Sequence, residues 1–203
     1  MDFFRPPLLW LLLVGIVLAT TPVIGGWGTA NWMTPWAEKA GSAATPSNPD
    51  LKADVLQARS LTGIAGSLLG GWIASVLGRR LTYFLVSAAS LLIAQYTFRY
   101  LVPTDREFLF WVAALGFVSG VYFGWLPLCL PELFPTRVRS TGAGVSFNFG
   151  RIATFITLFV SGAFMRYFGG DYAKIGQMTS LFFILGMVAI LFAPDTSQKK
   201  LED

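Results

Sequence analysis

The sequence predicts an all-α membrane protein with six transmembrane helices. Three observations predict it. Charged residues make up only 13% of the chain, against about 25% in a typical soluble domain, and mean hydropathy is +0.60. Apolar runs recur along the whole chain, and a helix needs about 20 such residues to cross a bilayer. The turns between them are short, and two carry paired arginines, Gly78-Arg79-Arg80 and Thr136-Arg-Val-Arg139. The spans read as about 8–38, 50–77, 81–101, 108–130, 142–168 and 178–193, all within a single domain, 1–203.

Composition also excludes several kinds of chemistry. Cys129 is the only cysteine, so an internal disulfide and a cysteine metal site are both ruled out. There is no histidine, which removes histidine metal sites, histidine proton relays and Ser-His-Asp catalysis. With no nucleophile–base pair and no metal cluster, the chain reads as a non-enzyme without a cofactor. The net charge of +4 is small and scattered and forms no nucleic-acid patch.

The first apolar run, Leu8–Ile24, is followed by further hydrophobic segments, so it reads as a transmembrane helix and not as a cleaved leader. It continues without charge to Glu38, through Gly25, Gly26 and Gly28, which would loosen a helix. Trp27, Asn31 and Trp32 decorate this stretch, as an interfacial aromatic belt or as a surface that meets a solute. Ala40–Asn48 reads as a loop, with Ser47 or Asn48 capping the next helix and Pro49 opening it. The outer part of the second span carries Asp50, Lys52, Asp54 and Arg59. Its inner part has small residues at Gly63, Gly66, Gly70 and Ala74, on one face where another helix can pack closely.

The third span is 81–101. The fourth places Gly116, Gly120 and Gly124 four residues apart, again a close-packing stripe, and then Tyr122, Trp125 and Pro127. Pro127, Pro131 and Pro135 predict a bend at this end, a candidate inner gate. The fifth span holds Asn148 and an intramembrane charge, Arg151. Such a charge is a functional hypothesis by default; the alternatives are snorkelling to the surface or pairing with Glu132. Gly71-x(6)-Gly78 and Gly162-x(6)-Gly169 end the second and fifth spans, a faint internal repeat.

The stretch Leu130–Gly144 resembles the loop between the tenth and eleventh helices of major facilitator transporters. In the sugar-porter and metabolite:proton symporter branches that loop carries Glu-Leu-Phe/Tyr-x(4)-Arg, and Glu132, Leu133, Phe134 and Arg139 match it. Gly71-Trp-Ile-Ala-Ser-Val-Leu-Gly-Arg-Arg80 resembles the superfamily's Gly-x(3)-Asp-x-x-Gly-Arg-Arg/Lys motif, with Ser75 in place of the acid. Pro194, Thr196, Leu201 and Glu202 match the segment after the twelfth helix of sugar porters, and Asp195 keeps its charge. Gly28 and Asn31 resemble a pair on the substrate-facing seventh helix, with Gly25 and Gly26 where that helix carries two glutamines. Related organic-ion transporters carry an arginine spaced like Arg151.

The resemblance implies the C-terminal six-helix half of a major facilitator transporter, built as two inverted three-helix repeats. It implies transport of a small solute, such as an organic acid or sugar, by alternating access and proton-coupled symport. Trp27, Asn31, Trp32, Tyr122, Trp125, Asn148 and Arg151 would line the substrate site. Arg79, Arg80, Glu132, Arg137, Arg139 and Asp195 would form a cytoplasmic gate. The implied location is a plasma membrane (the inner membrane of a bacterium), with both termini cytoplasmic. The implied partners are the solute, the lipid bilayer and either an N-terminal six-helix half or a second copy. The alternatives are a half-size homodimeric transporter and a non-transporting membrane protein that binds partners.

Overall fold

In hydrocarbon every backbone polar group must be satisfied within its own segment, so apolar runs become helices. The computed structural model describes residues 6 and 8–194, and it is helical there apart from short connections. In chain order the helices are α1 (Leu8–Pro22), α2 (Gly28–Ala43), α3 (Leu51–Leu77), α4 (Arg79–Tyr100), α5 (Phe108–Glu132), α6 (Arg139–Tyr167), α7 (Tyr172–Ser180) and α8 (Phe182–Phe192). A π-helical turn, Val23–Trp27, joins α1 to α2, so Leu8–Ala43 forms one long span. Five spans are long and apolar enough to cross a membrane. Thr136–Thr157 and Phe159–Tyr167, bent by 47°, make the sixth when counted together.

Several boundaries differ from the sequence reading. The first span runs to Ala43, past the expected start of the loop. Neither Ser47 nor Asn48 caps α3: Asp50 holds the cap position without a side-chain hydrogen bond. The last span begins at Tyr172, ahead of the expected Met178, because the Asp171 side chain accepts a hydrogen bond from the Lys174 amide and caps α7. The α5 helix passes through Pro127 and Pro131 as one element, and Pro135 follows after it ends. Gly78 (φ 85°) and Gly169 (φ 62°) terminate α3 and α6 in the left-handed region that glycine tolerates. The two ends of the faint repeat therefore share a backbone device.

The two glycine stripes are each other's partners. A methyl group at Gly66 or Gly70 would strike the carbonyl of Phe117 or Val121 on α5, and one at Gly120 or Gly124 would strike the backbone of Gly63 or Ser67 on α3. The α3 and α5 backbones thus touch directly, as stripes of small residues allow. These faces are spent inside the chain.

Around this seam α4 packs on α5, α7 and α8, α1 on α6 and α8, and α2 on α3 and α7. The core has two parts. One gathers Leu18, Tyr83, Tyr122, Trp125, Phe134 and Phe183; the other gathers Met33, Val55, Phe98, Phe108, Val112 and Leu115. Pro22 has no N–H, so it cannot bond the carbonyl four residues back, at Leu18. The Tyr83 hydroxyl donates to that carbonyl at 2.8 Å, which satisfies the break from a neighbouring helix.

Candidate functional site

Gly25, Gly26 and Gly28 have little intrinsic hold on helical geometry, and here they coincide with the π turn. The wider turn leaves carbonyls to be satisfied. The Thr29 hydroxyl donates to Gly25 O at 2.7 Å and to Gly26 O at 2.9 Å. The Arg59 guanidinium of α3 also donates to Gly26 O, at 3.2 Å. The sequence reading grouped Arg59 with the outer charges of its helix and missed this contact. The signal was present: Arg59 stands about 12 Å along α3 from Leu51, at ~1.5 Å rise per residue, which is deep for a charge. The criterion applied to Arg151 would have selected it.

Beyond the turn, α2, α6, α7 and α8 enclose a cleft of about 340 Å³ lined by Gly28, Asn31, Trp32, Thr157, Ser161 and Phe182, among others. That volume is within the range of small-molecule sites. Thr157 and Thr179 spend their hydroxyls on carbonyls of their own helices. The amide of Asn31 makes no hydrogen bond among the described residues and is exposed. Trp32 lies 6.3 Å from the Tyr172 ring, and Trp27 is exposed.

The remaining expected lining residues are placed differently. Tyr122 and Trp125 are buried inside the bundle, edge-on to the Tyr83 ring, and Tyr122 shares a hydrogen bond with Ser87. They do not line the cleft and do not reach an outer surface. Period alone cannot separate an inward from an outward tyrosine on a helix that is apolar all round. Asn148 is exposed on α6 but donates to Gly144 O of its own helix at 2.9 Å. Arg151, also exposed, sits over the Phe147 ring at 5.3 Å and not on Glu132.

The expected gate residues gather at one end of the bundle, where α3, α5 and α8 finish. Arg79 at the start of α4 grips Glu132 at the end of α5 with two parallel bonds, of 3.3 and 3.1 Å, in the bidentate geometry that favours arginine. Both side chains are partly shielded, 29% and 21% exposed. Arg80 reaches the last carbonyls of α8, at Ile190 and Leu191, where a cation complements the helix end. Arg139 bonds Thr136 within its own turn, at 3.2 Å, and its Nε is buried without a partner. Arg137 is exposed at the same turn. Asp195 lies outside the described residues.

A polar cluster at the α4–α7 contact also escaped the sequence reading. Gln95 donates to the Gln177 carbonyl and to Ser180, and Gln177 donates back to the Phe98 carbonyl. At the N-terminal end of α7, burial slightly opposes ionisation of Asp171. The Lys174 amide and ammonium outweigh it and hold the carboxyl below the usual carboxylate range.

Comparison with known proteins follows the same outline. The family model described as "Sugar (and other) transporter" matches residues 59–203. The chain is 27% identical over 185 residues to the cis,cis-muconate transport protein of Acinetobacter baylyi, which covers 91% of this chain and 42% of that protein. It is 27% identical over 196 residues to the ectoine/proline transporter ProP of Corynebacterium glutamicum, which covers 94% of this chain and 37% of that one. Among solved structures, the inward-open xylose transporter XylE of E. coli superposes with a TM-score of 0.67 at 15% identity, over 92% of this chain and 47% of that chain. The last likeness is one of fold. The chain spans less than half the length of each of these proteins.

Proposed function

The chain belongs to the sugar (and other) transporter family, a multi-pass membrane family, and from that premise we propose that it is the C-terminal half of a transporter that moves a small solute by alternating access. The solute class we favour is an organic acid or similar metabolite, carried with a proton. Muconate is a dicarboxylate, and proline and ectoine are zwitterions that each carry a carboxylate, so the names of both relatives favour a carboxylate-bearing metabolite over a sugar.

The observation that carries this reading is the Arg79–Glu132 pair. A rocking mechanism needs each half to move as one body. The pair ties the junction of α3 and α4 to the end of α5, while Arg80 ties the same junction to the end of α8. Three span ends are thereby fastened at one rim, which is the place of a gate. Asn31 and Trp32 offer a hydrogen-bonding amide and an aromatic face to a solute, with Trp27 beside them. Asn148 and Arg151 present further polar groups on α6, while Tyr122 and Trp125 stay in the core. A proton carrier would come from a second bundle, because no Asp or Glu lines this cleft and Glu132 is held at the rim.

We place the arginine rim and both termini on the cytoplasmic side of a plasma membrane. Short arginine-bearing turns are retained on that face. Cysteine introduced at Ser42, and separately at Ser197, tests the sidedness in intact cells. An impermeant thiol reagent is expected to label Ser42→Cys and to leave Ser197→Cys unlabelled. Labelling of both, or of Ser197→Cys alone, would contradict it. Uptake by the complete assembly across a panel of organic acids, sugars and amino acids tests the solute class, and a neutral sugar as the best substrate would remove the acid reading.

A further inference from the structure

We propose that Arg59 is the carboxylate-binding group of this chain, held ready at the helix break between α1 and α2. The site is the α2–α3 flank of that break, whereas the Asn31 cleft opens on the flank facing α6. Three features of the structure meet there.

The first is position. Gly26 stands at the middle of the 36-residue span Leu8–Ala43, and Arg59 reaches its carbonyl. The guanidinium is therefore carried toward the middle of the bilayer, where broken helices commonly form solute sites. The second is charge. Arg59 is only partly exposed, and its guanidinium donates to one neutral carbonyl, that of Gly26, which also accepts from Thr29. Among the described residues no carboxylate pairs with it. An intramembrane charge calls for a counter-charge, and the guanidinium fork matches a carboxylate in plane and spacing.

The third is contrast with the other arginines. Arg79 and Arg80 are consumed at the rim by Glu132 and by helix-end carbonyls. Arg106 lies exposed in the loop before α5. The hydrogen bond to Gly26 fixes the direction of the Arg59 fork while leaving its other N–H groups for a ligand, and the exposed Trp27 ring follows directly along the chain. The proposal rests on the transport reading only in how the solute arrives; binding itself is a property of this chain.

The test uses the purified chain in nanodiscs, with succinate as probe and its uncharged diamide, succinamide, as control. Saturation-transfer NMR is expected to show succinate binding that succinamide does not compete for. Arg59→Gln should weaken it at least tenfold, Arg59→Lys should keep part of it, and Arg106→Gln should leave it unchanged. A second measurement needs no variant. Phenylglyoxal modifies arginines, and succinate should slow modification of Arg59 severalfold, but not that of Arg106, as read by peptide mass spectrometry. No succinate binding, equal binding of succinamide, or equal protection of Arg59 and Arg106 would each overturn the proposal. Protection of Arg59 by succinate alongside a failed uptake assay would keep this site and remove the transport reading, so the two fail separately.

Discussion

The α3–α5 seam and the α1–α2 break both rest on glycine, and they use it in opposite ways. In the seam, glycines at helical spacing remove side chains from one face, so two backbones meet and no space remains. In the break, adjacent glycines within one helix coincide with a π turn, polar carbonyls and a cleft alongside. Spacing decides between these outcomes. Glycines on one stripe favour a neighbour, whereas glycines in a cluster weaken their own helix. The first region reads as a rigid spine, and the second is where the proposed solute site lies.

The largest expected effect comes from filling the seam. Gly66→Leu or Gly120→Leu should abolish the folded chain in detergent, measured as loss of the monodisperse peak in size exclusion. The contact is backbone on backbone, so the cost should exceed the about 1–3 kcal/mol of ordinary overpacking. Gly144→Ala and Gly162→Ala, which face open space, should fold normally and gain slightly from helix propensity. If Gly66→Leu folds as well as Gly144→Ala, the spine is not a spine.

The next effect concerns the rim. A double-mutant cycle of Arg79→Ala and Glu132→Gln, read by denaturant unfolding, should give an interaction energy of about 1 kcal/mol, within the range for residues in contact. Glu132 and Arg139 should instead add within about 0.5 kcal/mol, since Arg139 bonds Thr136. Equal coupling in both pairs would mean that the rim acts as one undivided network.

The smallest effect is at the cap of α7. Asp171→Ala should cost about 1 kcal/mol, as loss of a helix cap does, and less if exposure to solvent screens the Lys174 pair. Because the folded carboxyl is held below its unfolded value, its contribution is present above the unfolded pKa. It is lost as pH falls through the folded one. The variant and the parent should therefore converge in stability at acid pH and differ at neutral pH; a constant gap would show that ionisation plays no part.

Much of this arrangement is legible in the sequence, for reasons that differ by residue. The apolar runs fix the number of spans because bilayer thickness sets a length that few other structures need. Gly63, Gly66 and Gly70 announce a close neighbour because only a backbone can use such a face. Their partner is not legible, since α5 carries an equal stripe and nothing in spacing says that the two meet. Tyr83 shows the same limit: Pro22 implies an orphaned carbonyl at Leu18, but only the fold reveals which hydroxyl arrives. Asp171 was readable as a cap, standing three residues before the amide it accepts from, and Arg59 was readable as a deep charge. Tyr122 and Trp125 were not, because their helix is apolar on every face.

The most direct test of the transport account is gradient-driven uptake. The purified chain would be placed in liposomes under an imposed proton gradient, alone and together with an N-terminal six-helix half of a relative, and uptake of labelled organic acids followed. The account predicts no accumulation by the chain alone and accumulation when the second half is present. Accumulation by the chain alone would contradict it and point to a half-size transporter working as a dimer.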